Sequence, residues 1–449
     1  MKRPTLTHVV ISVTVAMLIL FMLPIALIFP VMANDWDGVT IASSFAGGSG
    51  SENDPYLISN ASELAYLAAS VNNSNNYTDN YFKLTGDISL GGNPWTPIGN
   101  YKINSAYFSG NFDGGGHKIT GFYCNNAGNY SGLFGYTIGA TIKNVTVEGT
   151  ECNGGKYAGG IVAQAKTGTK IINCINKVLM VKGEQVGGIV GRIEAGDNLV
   201  LCCINYGTVV ATGTTTYAYA AGIAAAAGGT TVAYCANYGN ISSSASSGYA
   251  TAGGVVGMHG ADDMAGIVKY CLNSGNVYAA STASTTYKQR VGSGGIVGRA
   301  NHVEGGEISY CATIGEYTSS YENRNGAIFG NNFNLGIINN CYTDNSVKFG
   351  HDSVSCFTGD EVTILSADAI RGENALTNMG LDASFFAPVQ DALPAFKIQA
   401  ILVDWGFLSE PEETTSDTTA LSQLRSNQLL MKRHRQQHRV ILLPKPQHR

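Results

Sequence analysis

The sequence predicts an all-β protein, a parallel β-helix (solenoid) with a small N-terminal α/β cap. Two repeated motifs predict this fold: a short glycine motif recurs along the chain, and a motif containing one cysteine recurs in phase with it. The composition agrees, because 56 glycines and only 13% charged residues are typical of an exported β-rich protein. A chain of 449 residues is also long enough to bury a large core.

The glycine motif reads GGIVGR at 187–192 and again at 294–299, with variants between and around these copies. Successive copies are 28, 28, 34, 32, 41 and 32 residues apart. A nucleotide-binding loop is excluded, because no Lys-Ser or Lys-Thr follows these glycines and the motif occurs many times. We expect the glycines to let neighbouring coils turn sharply and pack closely. The aligned structural glycines are Gly132, Gly160, Gly188, Gly222, Gly254 and Gly295, with Ala327 as a variant.

The cysteine motif, as in IINCIN and VAYCAN, predicts an internal stack of buried thiols followed by a ladder of asparagines. Zinc sites use paired cysteines such as C-x2-C, whereas here the only close pair is Cys202 and Cys203, so no metal is expected. Disulfides stay open as an alternative, for which Cys124, Cys152 and Cys356 are the better candidates. The predicted cysteine ladder is Cys174, Cys203, Cys235, Cys271, Cys311 and Cys341.

Each repeat is interpreted as three short strand-like runs separated by Gly/Asn turns. No run is long or apolar enough to form a stable sheet alone, so each must pair with its counterpart in the next repeat. The longer repeats leave room for loops, which we expect at TTTYAYA (214–220) and STASTTYKQR (281–290). These repeats occupy residues 131–350.

The ends of the solenoid need covers. At the N-terminal end, residues 36–130 form the predicted cap and first coils, in which Asn60–Asn72 reads as a helix with Asn60 as N-cap and Glu63 in a capping box. Strands follow in YFKLTGDISL and FSGNFDGGGHKITGF. At the other end, residues 351–399 form a closing segment with one short helix in LSADAIRGENALTNMG and a last strand in LPAFKI.

The first 33 residues are predicted to be a signal peptide or a membrane anchor. Lys2 and Arg3 precede a long apolar run, and Ala33 stands at a plausible cleavage site. The run is long enough to cross a bilayer, but Pro24 and Pro30 near its end favour cleavage. Either interpretation predicts export.

Charge is segregated along the chain. Residues 34–424 contain 18 basic residues against all 32 acidic ones, a net charge of −14, which argues against a nucleic-acid partner. Residues 400–449 are predicted to be a linker and a basic low-complexity tail. Two interpretations of the tail stay open: a surface-binding basic segment, or a Thr-rich linker read in a shifted frame.

The order of several motifs resembles a known family. Over roughly Phe45 to Ile398 the chain resembles bacterial surface proteins with the GLUG motif. The resemblance is carried by the segments FAGGSGSENDPYLISNASELAYLA, YFKLTGDISL and SGLFG and by the recurring GGIVG. The resemblance implies a right-handed β-helix on the surface of a bacterium or secreted from it, often considered adhesive. Similar repeats occur beside the catalytic region of IgA-specific metallopeptidases. The resemblance supplies no ligand and no binding residues.

A catalytic function is the alternative to this adhesive role. Other β-helices are polysaccharide lyases and hydrolases, which need converging carboxylates. The tightest acidic pair, Asp262 and Asp263 near His259, lies in a Gly-rich turn where aspartate is common, so it is a weak candidate. No H-E-x-x-H motif and no nucleophile signature is present. The sequence therefore predicts no catalytic residues, no metal and no cofactor.

The sequence thus predicts an exported, non-catalytic β-helix at a bacterial cell surface, acting in adhesion or as a spacer. Host glycans, host proteins or cell-wall components are the expected partners, contacted through loops rich in Tyr, Ser and Thr. A membrane contact is expected only through an uncleaved N-terminal segment. The alternatives are a polysaccharide-active enzyme and the repeat region of a larger surface peptidase.

Overall fold

A computed structural model describes residues 35–103, 105–126, 130–194, 196–213, 217–260, 264–282, 291–300, 303–320, 325–332, 335–344 and 362–409. The chain divides into two compact units, residues 1–398 and 399–449. The N-terminal segment 1–33, Asp262, Asp263, Cys356 and the basic tail lie outside the described residues.

The first unit is a parallel β-solenoid. One complete coil runs through Tyr157–Gly159, Val162–Lys166, Lys170–Ile172 and Ile175–Gly183, and each strand pairs in parallel with its counterpart in the next coil. Tyr157 pairs with Gln185, 28 residues on, which is the spacing of the glycine motif at this point. A coil therefore contains four strands rather than the three runs expected, because the Gly-Gly pair splits the first run at a bend.

The strands stack into four sheets, named here I to IV in the order in which a coil visits them. Sheet I contains Tyr130–Ser131, Tyr157–Gly159, Gln185–Gly187, Tyr217–Ala221, Tyr249–Gly253, Gly292–Gly294 and Asn325–Gly326. Sheet II contains Phe134–Ile138, Val162–Lys166, Val190–Ile193, Ala224–Ala227, Val256–His259, Val297–Ala300 and Phe329–Asn332.

The other two sheets also include strands of the N-terminal cap. Sheet III contains Tyr56–Ile58, Tyr81–Leu84, Asn111–Asp113, Thr141–Lys143, Lys170–Ile172, Asn198–Leu201, Thr230–Ala233, Ile267–Lys269, Val303–Ser309 and Leu335–Asn339. Sheet IV contains Ile88–Ser89, Lys118–Asn126, Thr146–Gly154, Ile175–Gly183, Ile204–Asn205, Thr208–Gly213, Ala236–Asn237, Ile241–Ala245, Leu272–Asn273, Val277–Ser281, Ala312–Thr313, Tyr317–Ser319, Cys341–Asp344 and Val362–Leu365.

The Gly-Gly pairs bend the chain between sheets I and II. A Cβ on Gly187 would lie 2.0 Å from the carbonyl oxygen of Val190, so the chain folds back tightly on the outside of this bend. A Cβ on Gly188 would lie 2.2 Å from the side chain of Asn205, on the inside. Both contacts are closer than a carbon atom can approach, so a side chain at either position would force its neighbours to shift. We call this bend the corner.

Two columns of side chains fill the interior next to the corner. Asn205 Nδ2 donates to Asn237 Oδ1 (2.8 Å), and Asn237 Nδ2 donates to Asn273 Oδ1 (2.8 Å), so a buried amide ladder passes from coil to coil. In the second column, Cys235 Sγ donates to the carbonyl oxygens of Ala233 (3.3 Å) and Val200 (3.6 Å). One coil earlier, the position of Cys174 is occupied by the buried Val145. The column therefore accommodates small apolar side chains and does not require cysteine.

The residue before each ladder cysteine adopts a left-handed conformation. Tyr234, Tyr270 and Tyr310 have φ of 51°, 55° and 53°, and their rings stack with centroids 4.7 and 4.9 Å apart. Cys202 occupies the same turn (φ 56°) rather than a strand, which the sequence did not indicate. The loop expected at TTTYAYA is also wrong in part, because Tyr217–Ala221 is a strand of sheet I.

A helix, Ala61–Asn72, belongs to the N-terminal cap and buries an apolar stripe of Leu64, Leu67, Ala68 and Val71. Asn60 Oδ1 accepts from the backbone N–H of Glu63 (3.1 Å), as expected of the N-cap. The Glu63 carboxylate accepts from the backbone N–H of Ser59 (2.6 Å) instead of that of Asn60, one residue beyond a capping box.

The closing segment contains two short helices, Ala367–Ile370 and Ala375–Asn378, where one was expected, and an antiparallel pair, Phe386–Ala387 with Ala395–Phe396. Phe386 packs on the stacked tyrosines, 5.9 Å from Tyr234 and 6.2 Å from Tyr270 between ring centroids. A last helix spans Ile398–Asp404. Within the described ranges, no helix is long and apolar enough to cross a membrane.

Candidate functional site

The residues singled out in the sequence lie mainly inside the solenoid. The ladder cysteines are buried and unbridged, and burial raises the pKa of thiols such as Cys235 and Cys311, which keeps them protonated. Cys124 and Cys152 are in-register neighbours on sheet IV, also buried and unbridged. The part of the chain that the structure describes contains no group of three or more His, Cys, Asp or Glu arranged to hold a metal.

Exposed aromatic and amide side chains instead gather on the outer surface of sheet IV. A strand of this sheet is interrupted in each middle coil by a turn such as Asn205-Tyr206-Gly207 or Asn237-Tyr238-Gly239. The asparagine of the turn points inward to the amide ladder, and the tyrosine after it points outward. We call this surface the tyrosine–asparagine face; it comprises Tyr206, Tyr238, Asn240, Asn276, Tyr278 and Glu316.

Two tyrosines of the face form a stacked pair. The rings of Tyr206 and Tyr238 are 5.1 Å apart and within 12° of parallel, although the side chains are 49% and 42% exposed. Lys177 lies over the other side of the Tyr206 ring, with its Nζ 5.9 Å from the ring centroid. Partial burial raises the pKa of Tyr238, so its phenol stays protonated at neutral pH and can donate a hydrogen bond to a ligand.

The two exposed asparagines are held in one orientation by the backbone of the next coil. Asn240 Oδ1 accepts from the backbone N–H of Asn276 (3.2 Å), and Asn276 Oδ1 accepts from the backbone N–H of Glu316 (3.0 Å). Since the oxygen of each amide is engaged, each Nδ2 group faces outward. The face thus presents one amide donor per coil, followed by the carboxylate of Glu316.

A shallow depression of about 220 Å³ lies between these groups. Tyr278, 46% exposed, forms part of its wall, and Glu316 is the charged residue in the lining. The lining residues are Thr208, Asn240, Ile241, Ser242, Asn276, Val277, Tyr278, Glu316 and Thr318. Aromatic edges, hydroxyls and amides around a shallow depression suit a ligand rich in hydroxyl and amide groups.

A second aromatic cluster lies outside the corner, between sheets I and II, but it is closed. Tyr130, Tyr136 and Tyr157 are only 7%, 4% and 6% exposed. Lys166 and Glu194 form an ion pair (2.7 Å) beside them, and Lys166 Nζ lies 5.7 Å from the centroid of the Tyr136 ring. We call these five residues the corner cluster; its side chains fill the space that a ligand would need.

The tyrosine–asparagine face was missed in the sequence, where contacts were expected in loops. A signal for it was present: the two Asn-Tyr-Gly triplets at 205–207 and 237–239 are 32 residues apart, in phase with the repeat. An outward tyrosine at the same place in neighbouring coils predicts a stacked pair.

Comparisons with known proteins find partial matches. No family model matches the chain. It is 39% identical over 123 residues to a protein of Evansella cellulosilytica named "Putative Gly-rich membrane protein", and 28% identical over 169 residues to halomucin of Haloquadratum walsbyi. These matches cover 25% and 35% of this chain but only 13% and 2% of those proteins.

One solved structure resembles most of the solenoid. The crystal structure of "a putative immunoglobulin A1 protease from Bacteroides ovatus" superposes with a TM-score of 0.52 at 21% sequence identity, and the match covers 79% of this chain and 95% of that one. At this identity the likeness concerns the fold. The chain is thus a β-solenoid similar in fold to a structure described as an IgA1 protease, and similar in part of its sequence to a membrane protein and a halomucin.

Proposed function

We propose that this protein is an exported, non-catalytic solenoid of the bacterial cell surface, and that its tyrosine–asparagine face binds glycan chains. The single observation that carries the proposal is the exposed stack of Tyr206 and Tyr238 beside asparagines whose amide donors are fixed outward. Aromatic rings supply contact area for the apolar faces of sugars, and oriented amides supply hydrogen bonds to their hydroxyls.

Three observations support a location at the cell surface. Lys2, Arg3 and the apolar run after them have the pattern of an export segment. One relative is named as a membrane protein and another as a halomucin. The motif order resembles that of GLUG-motif surface proteins. The non-catalytic part of the proposal rests on the sequence, in which no H-E-x-x-H motif and no nucleophile signature occurs.

A glycan array, host cells and mucins probed with the full chain test this role. We expect binding that is lost in the triple variant Tyr206→Ala, Tyr238→Ala, Tyr278→Ala. Tyr217→Ala is the matched control, because Tyr217 is 38% exposed but lies on sheet I. Bound glycans should be recovered intact. Binding to none of these surfaces would leave only the spacer role, and cleaved glycans would indicate an enzyme.

A second candidate function is the repeat region of a larger surface peptidase. The observation that favours it is the fold likeness to the Bacteroides ovatus structure over 79% of this chain. Continuous coding sequence for an H-E-x-x-H helix in the same gene would support this candidate. A gene without such a motif would remove it.

A further inference from the structure

The column of outward side chains that contains Tyr206 and Tyr238 loses its aromatic ring in the next coil. The backbone N–H of Tyr238 donates to the carbonyl oxygen of Asn205 (2.9 Å), and that of Ser274 donates to the carbonyl oxygen of Asn237 (2.9 Å). Ser274 therefore occupies the place of a tyrosine. In order along the solenoid, the column consists of Lys177, Tyr206, Tyr238, Ser274 and Ile314.

This substitution leaves one face of the Tyr238 ring without an aromatic neighbour. Tyr206 stacks on the other face at 5.1 Å, and among the described residues no second ring contacts Tyr238. Because coils are spaced by about 4.8 Å, Tyr238 and Ile314 are about 10 Å apart along the solenoid. We call the space between them the serine gap, with Ser274 as its floor. Its height is that of one inserted ring.

Tyr278 is a second ring on the face whose two sides are open. In the register of sheet IV, Ser242 lies one coil before Tyr278 and Thr318 lies one coil after it. Neither neighbour carries a ring, and Tyr278 is 46% exposed. The small side chains leave space over both sides of the ring, and their hydroxyls supply hydrogen-bonding groups beside it.

The asparagine amides lie between these two places. Ser274, Asn276 and Tyr278 follow one another on the same coil, and the four residues from Ser274 to Tyr278 span at most about 13 Å. Asn276 Oδ1 accepts from a backbone N–H (3.0 Å), and Asn240 Oδ1 does the same one coil earlier (3.2 Å). Neither amide can flip without losing that hydrogen bond, so both Nδ2 groups remain donors to a ligand.

We propose that a glycan chain crosses the tyrosine–asparagine face from the serine gap to Tyr278, an inference that rests on the proposed function. One sugar ring inserts between Tyr238 and Ile314, and another packs on Tyr278. The sugars between them accept hydrogen bonds from Asn240 and Asn276. A pyranose has C–H groups on both faces, so it suits a slot with an aromatic ring on one side and an aliphatic side chain on the other.

The distance across the face sets the length of chain that fits. With bonds of about 1.5 Å, one hexose advances a glycan by about 5 Å, so a span of about 13 Å corresponds to three or four rings. A disaccharide reaches the serine gap or Tyr278 but not both. The face is therefore specific for chains rather than for single sugars.

A peptide suits the face less well than a glycan. Extended peptides usually bind by adding a strand to an open sheet edge. The face lies in the middle of sheet IV, where the strands Thr208–Gly213, Ile241–Ala245 and Val277–Ser281 are paired to one another. A ligand here contacts side chains only.

Filling the serine gap in the full chain tests the inference. Ser274→Tyr extends the stack over the open face of Tyr238, so binding to glycan-array ligands should fall about tenfold or more, as the loss of one ring contact implies. Lys177→Tyr is the matched control, because it extends the same column beyond Tyr206 and should leave binding unchanged. Ser274→Leu fills the gap with a smaller side chain and should show the same loss. Circular dichroism verifies that each variant is folded.

Chain length gives a second measurement on the same array. β-Linked oligomers of glucose and of N-acetylglucosamine are compared at two, four and six rings. Affinity should rise about tenfold or more from the dimer to the tetramer, since only the tetramer reaches both rings. It should then level off at the hexamer.

The outcomes separate this inference from the proposed function. Unchanged binding in both gap-filling variants, or dimers that bind as tightly as tetramers, would overturn the crossing and leave glycan binding in place. An equal loss in Lys177→Tyr and Ser274→Tyr would indicate a ligand that follows the whole tyrosine column instead. Binding of no array glycan would overturn both proposals. A tyrosine-containing peptide that binds more tightly than every glycan would overturn the assignment to sugars.

Discussion

The corner cluster and the tyrosine–asparagine face have similar residues but opposite properties. Tyr130 and Tyr157 at the corner are 7% and 6% exposed, whereas Tyr206 and Tyr238 on the face are 49% and 42% exposed. Each pair joins neighbouring coils with ring centroids about 5 Å apart, the corner pair edge to face at 4.9 Å and the face pair stacked at 5.1 Å. The place of a tyrosine within the coil, and not its neighbours along the chain, decides whether it stabilises the solenoid or faces a ligand.

The bend between sheets I and II is the physical reason for the difference. At the corner, outward side chains of two sheets point toward each other and cover one another, as where Arg192 lies 5.8 Å from the Tyr157 ring centroid. Among the described residues no second sheet covers the middle coils of sheet IV, so outward side chains such as Tyr206 and Tyr238 remain accessible. The following predictions test this contrast, from the largest expected effect to the smallest.

The glycine at the corner should be the most sensitive position. Gly188→Ala places a Cβ 2.2 Å from Asn205 and 2.3 Å from the Gly222 carbonyl oxygen, so we expect a loss of about 3 kcal/mol or more in the free energy of unfolding. Gly86 has no atom within 4 Å of such a Cβ, and Gly86→Ala should change it by less than about 0.5 kcal/mol. Urea unfolding followed by circular dichroism measures both, and equal effects would contradict the corner model.

Substituting an asparagine on the buried side of sheet IV should cost more stability than substituting one on the exposed side. Asn237→Ala removes the buried donors to the Gly239 carbonyl oxygen (2.8 Å) and Asn273 Oδ1 (2.8 Å) and leaves polar groups unsatisfied, for a loss of about 2 kcal/mol. Asn276→Ala on the exposed face should cost less than about 1 kcal/mol. Urea midpoints compare the two, and a larger loss for Asn276→Ala would reverse the interpretation.

Acidic pH should destabilise the solenoid through His259 at the end of a sheet II strand. Burial lowers the pKa of His259, and the backbone of Gly266 offsets this only in part. The folded state therefore binds fewer protons than the unfolded state, so stability is fully present above the unfolded pKa of about 6.5 and falls below it.

The slope contributed by this group is at most about 1.4 kcal/mol per pH unit. Unfolding free energies measured between pH 8 and pH 5 should show a shallower acid loss in His259→Leu than in the unmodified chain. Identical pH profiles for the two proteins would show that His259 does not titrate on unfolding.

Substitution of a face tyrosine should have one of the smallest effects on stability, and its corner counterpart serves as the comparison. Tyr238→Ala on the face should change the free energy of unfolding by about 1 kcal/mol or less, because the ring is half exposed. Tyr157→Ala at the corner should cost about 3 kcal/mol. Thermal unfolding and glycan binding are measured together: binding should be lost only in the first variant.

Much of the fold followed from repetition alone. The spacing between glycine motifs equals the spacing between paired strands, as for Tyr157 and Gln185, and the N-terminal helix begins after Asn60 as expected. The division of each coil among four sheets was not predicted, since Gly159 and Gly160 lie within an otherwise continuous run. The left-handed turn at Cys202 and Tyr234 was also missed, because these residue types rarely adopt that conformation.

The sequence by itself determined that this chain is a stacked parallel β-solenoid, because in-phase motifs force each coil to pair with the next. Only the tertiary structure decided which tyrosines and asparagines face inward, lie at the corner or stand exposed. Asn237 and Asn240 are three residues apart, yet one lies in the buried ladder and the other on the open face. The physical reason is that turns reset the alternation of side chains, and only the path of the backbone through each turn sets the direction of the next side chain.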